Sequence, residues 1–296
     1  MEEVIIQHND ANQRLDKFLG KAYPNLKKSA MYKAIRNKKI KVNRKRASFD
    51  QVLQEGDHIL LFLPPDFLEK PKKVLQSLPA PQIVFENDQL VAMNKPAGLL
   101  SMKDSPQNQD TLNDRLLSYL QSSGQYDPNQ ESSFTPSIAH RLDRNTSGLV
   151  LAGKNAPSSR RLAQAIANHT IRKYYLAITD QKPIQGEVTL YLKKEGTKSL
   201  VSNRPLAGYD SAQMAIHTIG QANGRYLSEI ELYTGRFHQI RACLAFLGTP
   251  LLGDVKYGGA PYSKGYALQA YKIDLSQAGF ERIKTIELPP SEQLHL

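Results

Sequence analysis

Apolar residues recur at helical spacing in RLDKFLGKAY, where Leu15, Phe18 and Leu19 share a face, and again through Met31, Ala34 and Ile35. These stripes predict two helices, the second opened by Ser29 as its N-cap. In KIKVN the pattern switches to alternation, which predicts a strand with Ile40 and Val42 inward. The EGD turn at residues 55–57 then launches another strand, HILLFL. Residues 1–63 therefore read as a small α+β unit. The following segment, Pro64 to Gln82, holds five prolines, which cannot donate backbone hydrogen bonds inside a sheet or helix, so 64–82 reads as a stiff linker.

A second, larger domain is expected over residues 83–296. IVFEN and LVAMNK flank the turn residues Asn87 to Gln89 as a hairpin, and KPAG, Lys95 to Gly98, breaks into a loop. TLNDRLLSYL follows as a helix with Leu112, Leu116 and Leu120 on one face. Ser122 to Ser137 is polar and turn-rich, a loop that need not be ordered. GLVLAGK reads as a buried strand, SSRRLAQAIANH as a helix and KYYLAIT as a strand. GRFHQIRACLAFLG carries a helix with Ile240, Leu244 and Leu247 on its apolar side, ended by Gly248 and Pro250. Strands and helices interleave without a regular βαβ rhythm, which favours a mixed α+β sheet over a doubly wound one.

Composition adds little to this picture, since 40% hydrophobic and 23% charged residues are ordinary for a globular chain. Charge adds more. Lys and Arg total 39 against 28 Asp and Glu, a net charge of +11, so an anionic partner such as nucleic acid or a membrane surface is expected. The acidic N-terminus lacks a signal peptide's apolar core, and no apolar run approaches the roughly 20 residues that span a bilayer, so a soluble chain without a membrane partner is expected. Cys243 is the sole cysteine, which excludes a disulfide framework; with no CxxC or HExxH spacing for a metal, a reducing, cytoplasmic setting fits. Lys27 to Arg46 contains ten basic residues and no acidic one, whereas a solvated helical face mixes signs. Several cations on one face release counterions when they meet nucleic acid. The segment resembles the αL RNA-binding motif, with Lys28, Lys33, Arg36, Lys41 and Arg44 as candidate phosphate contacts.

HRLDRNTSG, His140 to Gly148, sets one carboxylate, Asp143, between two arginines. A kinase catalytic loop does not fit, because Leu142 displaces the Asp, Asn145 follows too soon, and no Gly-rich phosphate loop or DFG accompanies it. GDVKYGG lacks the ending of a P-loop. Glycoside hydrolysis usually needs two carboxylates, and Asp143 has no obvious acidic partner. Neighbouring positive charge favours the ionised carboxylate, which suits a nucleophile better than an acid. The bland alternative is an N-cap or surface ion-pair aspartate.

HRLDRNTSGLVLAGK, with KPAG upstream and GRFHQIR and LLGDVKYG downstream, resembles the RluA family of ribosomal-RNA pseudouridine synthases along nearly all of residues 83–259. The αL-type unit in front is similar to that of the family's larger members. The resemblance implies the pseudouridine synthase fold, with a mixed, largely antiparallel central sheet and a catalytic cleft. It further implies an isomerase that converts uridine to pseudouridine in structured RNA, large-subunit ribosomal RNA foremost. Asp143 is then the nucleophile, Arg141 enters the RNA stack beside the flipped uridine, Tyr175 of KYYLA stacks on uracil, and Arg241 of GRFHQIR pairs with Asp143. Arg144 is expected at a phosphate, Lys95 at the site wall or a phosphate, and His238 as a structural hydrogen-bonder. An isomerisation without net redox change needs no cofactor, and a monomer is expected. Phe237, Cys243 and Gln269 depart from the family's usual Thr, His and His. A non-catalytic RNA-binding or ribosome-assembly factor on the same fold stays open, although an acid among phosphate contacts would weaken a pure binder. A small-molecule glycosidase is disfavoured by the missing second carboxylate.

Overall fold

The computed structural model describes residues 1–70, 75–262, 265–280 and 282–296. The first unit runs β1 (Glu2–Ile5), α1 (Leu15–Ala22), α2 (Lys28–Arg36), β2 (Ile40–Val42), β3 (Lys45–Arg46) and β4 (His58–Leu61). Its four strands form an antiparallel sheet in the order β1-β4-β2-β3. The apolar stripes read from the sequence are the buried ones: Leu15, Phe18 and Leu19 of α1 meet Met31, Ala34 and Ile35 of α2, closed by Ile40, Val42, Ile59 and Leu61. Ser29 is not the cap of α2. The ladder already begins at the Lys27 carbonyl, which accepts the Met31 N–H at 3.0 Å, so Ser29 is the exposed second residue of the helix.

Of the proline-rich linker, residues 71–74 lie outside the described residues. A short helix, α3 (Pro65–Leu68), opens that segment, and its last residue, Gln82, already belongs to the next strand. The chain then builds β5 (Gln82–Glu86), β6 (Leu90–Lys95), α4 (Leu112–Ser122), β7 (Ser137–Ile138), β8 (Ser147–Gly153), α5 (Ala156–Ala167) and β9 (Arg172–Thr179). It continues through β10 (Gly186–Glu195), β11 (Lys198–Ser202), β12 (Asp210–Ala222), β13 (Arg225–Leu232), α6 (Gln239–Phe246), β14 (Leu268–Asp274) and β15 (Thr285–Glu287). The helix after β8 starts earlier than its apolar pattern suggests, because Asn155 caps it by accepting the Ser158 N–H at 2.9 Å.

Nine strands of the large sheet follow the order β11-β10-β12-β13-β9-β14-β8-β6-β5, with β15 added to β14 and β7 to β8. Its neighbours are antiparallel except β8 and β14, which run parallel. Around β6, β8, β9 and β14 both faces are buried, whereas β10 alternates buried and exposed positions, and the strand period of two divides the side chains between the faces. Val91, Met93, Val150, Ala152 and Tyr175 join a core with α4 and α6, whereas Leu90, Ala92, Leu149, Leu151 and Leu176 join one with α5.

The polar stretch between α4 and β7, expected as a loop that need not be ordered, is held against the first unit. Tyr126 and Phe134 are buried, and the Ser133 amide and hydroxyl both donate to Asp10 Oδ1, at 3.0 and 2.6 Å. Asn9 Nδ2 donates to Glu131 at 2.7 Å, while Asn9 Oδ1 accepts the Ala156 N–H at the start of α5 at 3.0 Å. Among the described residues no helix is long and apolar enough to cross a membrane.

One glycine sets the exit from the HRLDRNTSG loop. Gly148 has φ +115°, and a Cβ there would lie 2.1 Å from the Ala270 carbonyl oxygen, where β8 meets β14. Strain at positive φ and the backbone clash act together, so Gly148→Ala is expected to lower unfolding stability by about 2 kcal/mol or more. Urea denaturation checks this, and an unchanged midpoint would overturn it.

Candidate active site

Arg241, in the first turn of α6, is 6% exposed and holds two carboxylates at once. Its Nε and Nη2 grip both oxygens of Asp254, at 2.7 and 2.9 Å, and its Nη1 donates to Asp143 Oδ2 at 3.0 Å. Burial works against the guanidinium charge, but the paired carboxylates outweigh it and raise its pKa. The cation also lies 4.3 Å from the Tyr266 ring centre and 5.2 Å from that of Tyr257. Asp254 is buried, whereas the Asp143 side chain keeps 26% of its surface open. One carboxylate anchors the arginine, and the other faces a cavity.

The loop that carries Asp143 alternates like a short strand. Leu142 drops into the core, and its N–H and carbonyl both bond the buried Ser101 hydroxyl, at 3.0 and 2.7 Å. Its neighbours Arg141 and Asp143 therefore turn outward into a cavity of about 420 Å³. That volume lies within the roughly 300–1,000 Å³ of small-ligand pockets. Arg141 is exposed at its wall and pairs with no carboxylate among the described residues. Arg144 is exposed, with Nε donating to the Gly98 carbonyl at 3.1 Å.

Of the two places expected for Lys95, the structure rules out the phosphate. Lys95 is 0% exposed and cannot reach a phosphate; its Nζ donates to the carbonyls of Pro96, Leu99 and Arg144 at 2.8–3.0 Å. Three acceptors satisfy the three donors of an ammonium, so KPAG is a clamp that joins its own loop to the loop of Asp143. Burial draws the amine down to about 8, opposed by the charge of Asp143.

Tyr175, on β9, also lines the cavity; burial and then the Asp143 charge push its phenol up, so it offers a neutral ring suited to stacking. His238 faces Asp143 with Nε2 at 3.7 Å, beyond hydrogen-bond distance, and binds the Tyr257 hydroxyl through Nδ1 at 2.9 Å. Burial brings its pKa down to about 4 against the pull of Asp143, so the imidazole is neutral at pH 7 and that contact is no ion pair. His238 sits at φ +54°, ψ +27°, turned by Gln239, whose Oε1 accepts from Arg236 N–H at 3.0 Å and Thr234 at 2.8 Å. His140 is held near 3 by burial and the Lys173 charge, and its Nε2 accepts the Leu151 N–H at 3.2 Å.

Several residues of the site were not singled out from sequence. Asp254 and Tyr257 lie within the LLGDVKYG motif, but their partners appear only in three dimensions. Tyr266, pushed up to about 12 by burial and then by Asp143, has its hydroxyl 3.3 Å from that of Thr146. Lys173 lines the cavity, its pKa lowered by burial, with no carboxylate partner among the described residues. Phe237 stacks on His238 at 3.8 Å between ring centres, and burial raises the Cys243 thiol to about 12, leaving it neutral. Gln269 ties down the C-terminus through Glu292 O at 2.8 Å and Leu294 N–H at 2.6 Å.

In the first unit Lys28, Lys33, Arg36 and Arg44 are exposed and Lys41 is half-buried. They are separate from the residues around Asp143. Among the described residues none of these five pairs with a carboxylate.

A model of the RNA pseudouridylate synthase family matches residues 89–246. The chain is 34% identical to the ribosomal large subunit pseudouridine synthase C of Rickettsia bellii, over 96% of each chain. It is 32% identical to an uncharacterised RNA pseudouridine synthase of Mycoplasma capricolum, over 93% of this chain and 91% of that one. The fold matches the structure of human RNA pseudouridylate synthase domain containing 4 with a TM-score of 0.56 at 21% identity, over 71% of this chain and 89% of that one.

Removing one partner of a buried ion pair leaves the other charge uncompensated. Asp254→Ala is expected to cost about 3 kcal/mol of stability, and Asp254→Asn less, because the amide still accepts one guanidinium bond. Urea unfolding of both variants checks the order, and wild-type stability of Asp254→Ala would refute it.

Proposed function

This chain belongs to the RNA pseudouridylate synthase family, and from that membership we propose that it isomerises uridines in large-subunit ribosomal RNA, with Asp143 as the nucleophile. The observation that carries the reading is the contact of Asp143 Oδ2 with the buried Arg241 at 3.0 Å, on the wall of a cavity also lined by Tyr175. The names of the Rickettsia relatives support the choice of RNA. In the reaction the bond from uracil N1 to the ribose breaks, the base turns, and C5 takes the sugar while its proton leaves and N1 gains one. Atoms balance without oxidant, water or leaving group.

Each residue has a task in this scheme. Arg141, exposed and without a carboxylate partner among the described residues, fills the gap left by the flipped uridine. Flipping costs a few kcal/mol of stacking, which a cationic side chain in the stack offsets in part. Tyr175 stacks on the displaced uracil, and Arg241 holds Asp143 in one rotamer. Arg144 meets a neighbouring phosphate. Residues 1–63 grip RNA through Lys28, Lys33, Arg36, Lys41 and Arg44, residues 64–82 connect, and residues 83–296 hold the chemistry; support comes from the two separate cores. We take the working form to be a monomer in the cytoplasm, where ribosomal RNA is the substrate at hand.

Transcripts tritiated at uridine C5 release label as pseudouridine forms. Asp143→Asn is expected to abolish release while leaving RNA affinity within about twofold, since an uncharged amide adds no repulsion to phosphate. Retained release would remove Asp143 from the nucleophile's role, and no release from ribosomal RNA by the wild type would sink the proposal.

The basic unit is tested by salt. Replacing Lys33, Arg36 and Arg44 together by Ala is expected to flatten the slope of log affinity against log salt by about 0.7–0.9 for each phosphate that is no longer neutralised. An unchanged slope would place the RNA elsewhere.

A further inference from the structure

We propose that a hollow between α2 and the segment after β3 holds one unpaired nucleotide of the RNA, its base against Phe49 and Tyr32 and its phosphate on Arg36 and Arg46. The inference rests on the RNA reading above and adds to it a second, non-catalytic nucleotide site. The hollow encloses about 420 Å³. Its floor is Ile35 and Ala47, both buried, and its aromatic wall is Tyr32 and Phe49. Phe49 is 43% exposed, an open ring, whereas Phe18 of α1 is fully buried.

The geometry suits a π-face. Tyr32 and Phe49 have ring centres 5.1 Å apart and planes tilted by 52°, so they form an angled wall and do not close on each other. The Tyr32 hydroxyl donates to Asp16 Oδ2 at 3.2 Å, and Arg14, itself paired to Asp16 at 2.9 Å, lies 5.6 Å from the Phe49 ring centre. The wall is therefore fixed before any ligand arrives.

Charge selects the occupant. Arg36 and Arg46 are exposed on the rim and have no carboxylate partner among the described residues. The acids nearby are committed: Asp16 to Arg14 and Tyr32, and Asp50 to the Ser48 hydroxyl. An aromatic wall beside uncommitted arginines is the composition that binds unpaired nucleotides, because every base presents a face for stacking and every linkage a phosphate. A duplex offers the phosphates but keeps its bases stacked inside, so the hollow discriminates unpaired from paired RNA.

The chain contains no tryptophan, so Phe49→Trp installs the sole indole at the wall. A short unstructured oligouridylate is expected to quench that fluorescence, and a duplex of the same length to leave it. In the full chain Phe49→Ala is expected to weaken oligouridylate binding about tenfold while duplex binding stays the same. Equal quenching by both RNAs, or unchanged oligouridylate affinity in Phe49→Ala, would overturn the site. Tritium release by the wild type is measured alongside. Its absence condemns the catalytic proposal alone, whereas normal release with an indifferent Phe49→Ala condemns only this one.

Discussion

The site is organised by one buried guanidinium shared between two carboxylates. A charge 6% exposed is tolerable only when paired and hydrogen-bonded, and Arg241 meets that condition mainly through the bidentate contact with Asp254. Asp254, 1% exposed, depends on the arginine in turn. Its loop is folded tightly around it: a Cβ on Gly253 would meet the Gly265 carbonyl at 1.8 Å, and one on Gly259 the Leu251 carbonyl at 2.0 Å. With its rotamer fixed from behind by two of its five N–H donors, Arg241 turns Nη1 toward Asp143. The Asp143 carboxylate is thus oriented by a residue that has already been locked, which is how a supporting layer removes freedom from a site.

The same logic applies on the other side of Asp143. Leu142 plugs its loop into the core, Ser101 satisfies the backbone there, and Lys95 clamps the carbonyl of Arg144 one residue on. Gly148 then lets β8 pass close to β14. Asp143 is held between two fastened residues, so its position follows from the packing of the sheet. A carboxylate on a cavity wall keeps one position there because its loop is fastened on both sides.

Much of this was legible in the sequence, for identifiable reasons. The apolar runs of β6, β8 and β9 are continuous because both faces of those strands are buried, and the stripes of α1 and α2 are clear because each helix has one wet side. The order of HRLD, KYYLA and GRFHQIR located Asp143, Tyr175 and Arg241, which line one cavity. Partnerships were harder to read. Asp254 is one acid among 28 acidic side chains, and nothing local marks it as the anchor of Arg241. For Lys95 the sequence left the site wall and a phosphate open; its three carbonyl acceptors come from two segments that meet only in the fold. Ser29 lost the cap position because cap preference is a small term, and the Lys27 carbonyl already had the geometry.

Two groups of basic residues differ in burial and in pairing. Lys95 and Arg241 are buried, with their donors taken up by carbonyls and carboxylates, and they shape the ground on which Asp143 stands. Lys28, Lys33, Arg36, Arg44 and Arg141 are exposed, and among the described residues they pair with no acid. An exposed cation already bonded to a carboxylate would have to give up that partner before taking a phosphate, and the exchange would cancel much of the gain. Leaving the outer cations unpaired keeps them available to RNA, at the expense of mutual repulsion that a folded unit with its own core can tolerate. The exposed cations without an acid partner contribute to the net charge of +11, whereas the charge of Arg241 is offset by Asp143 and Asp254.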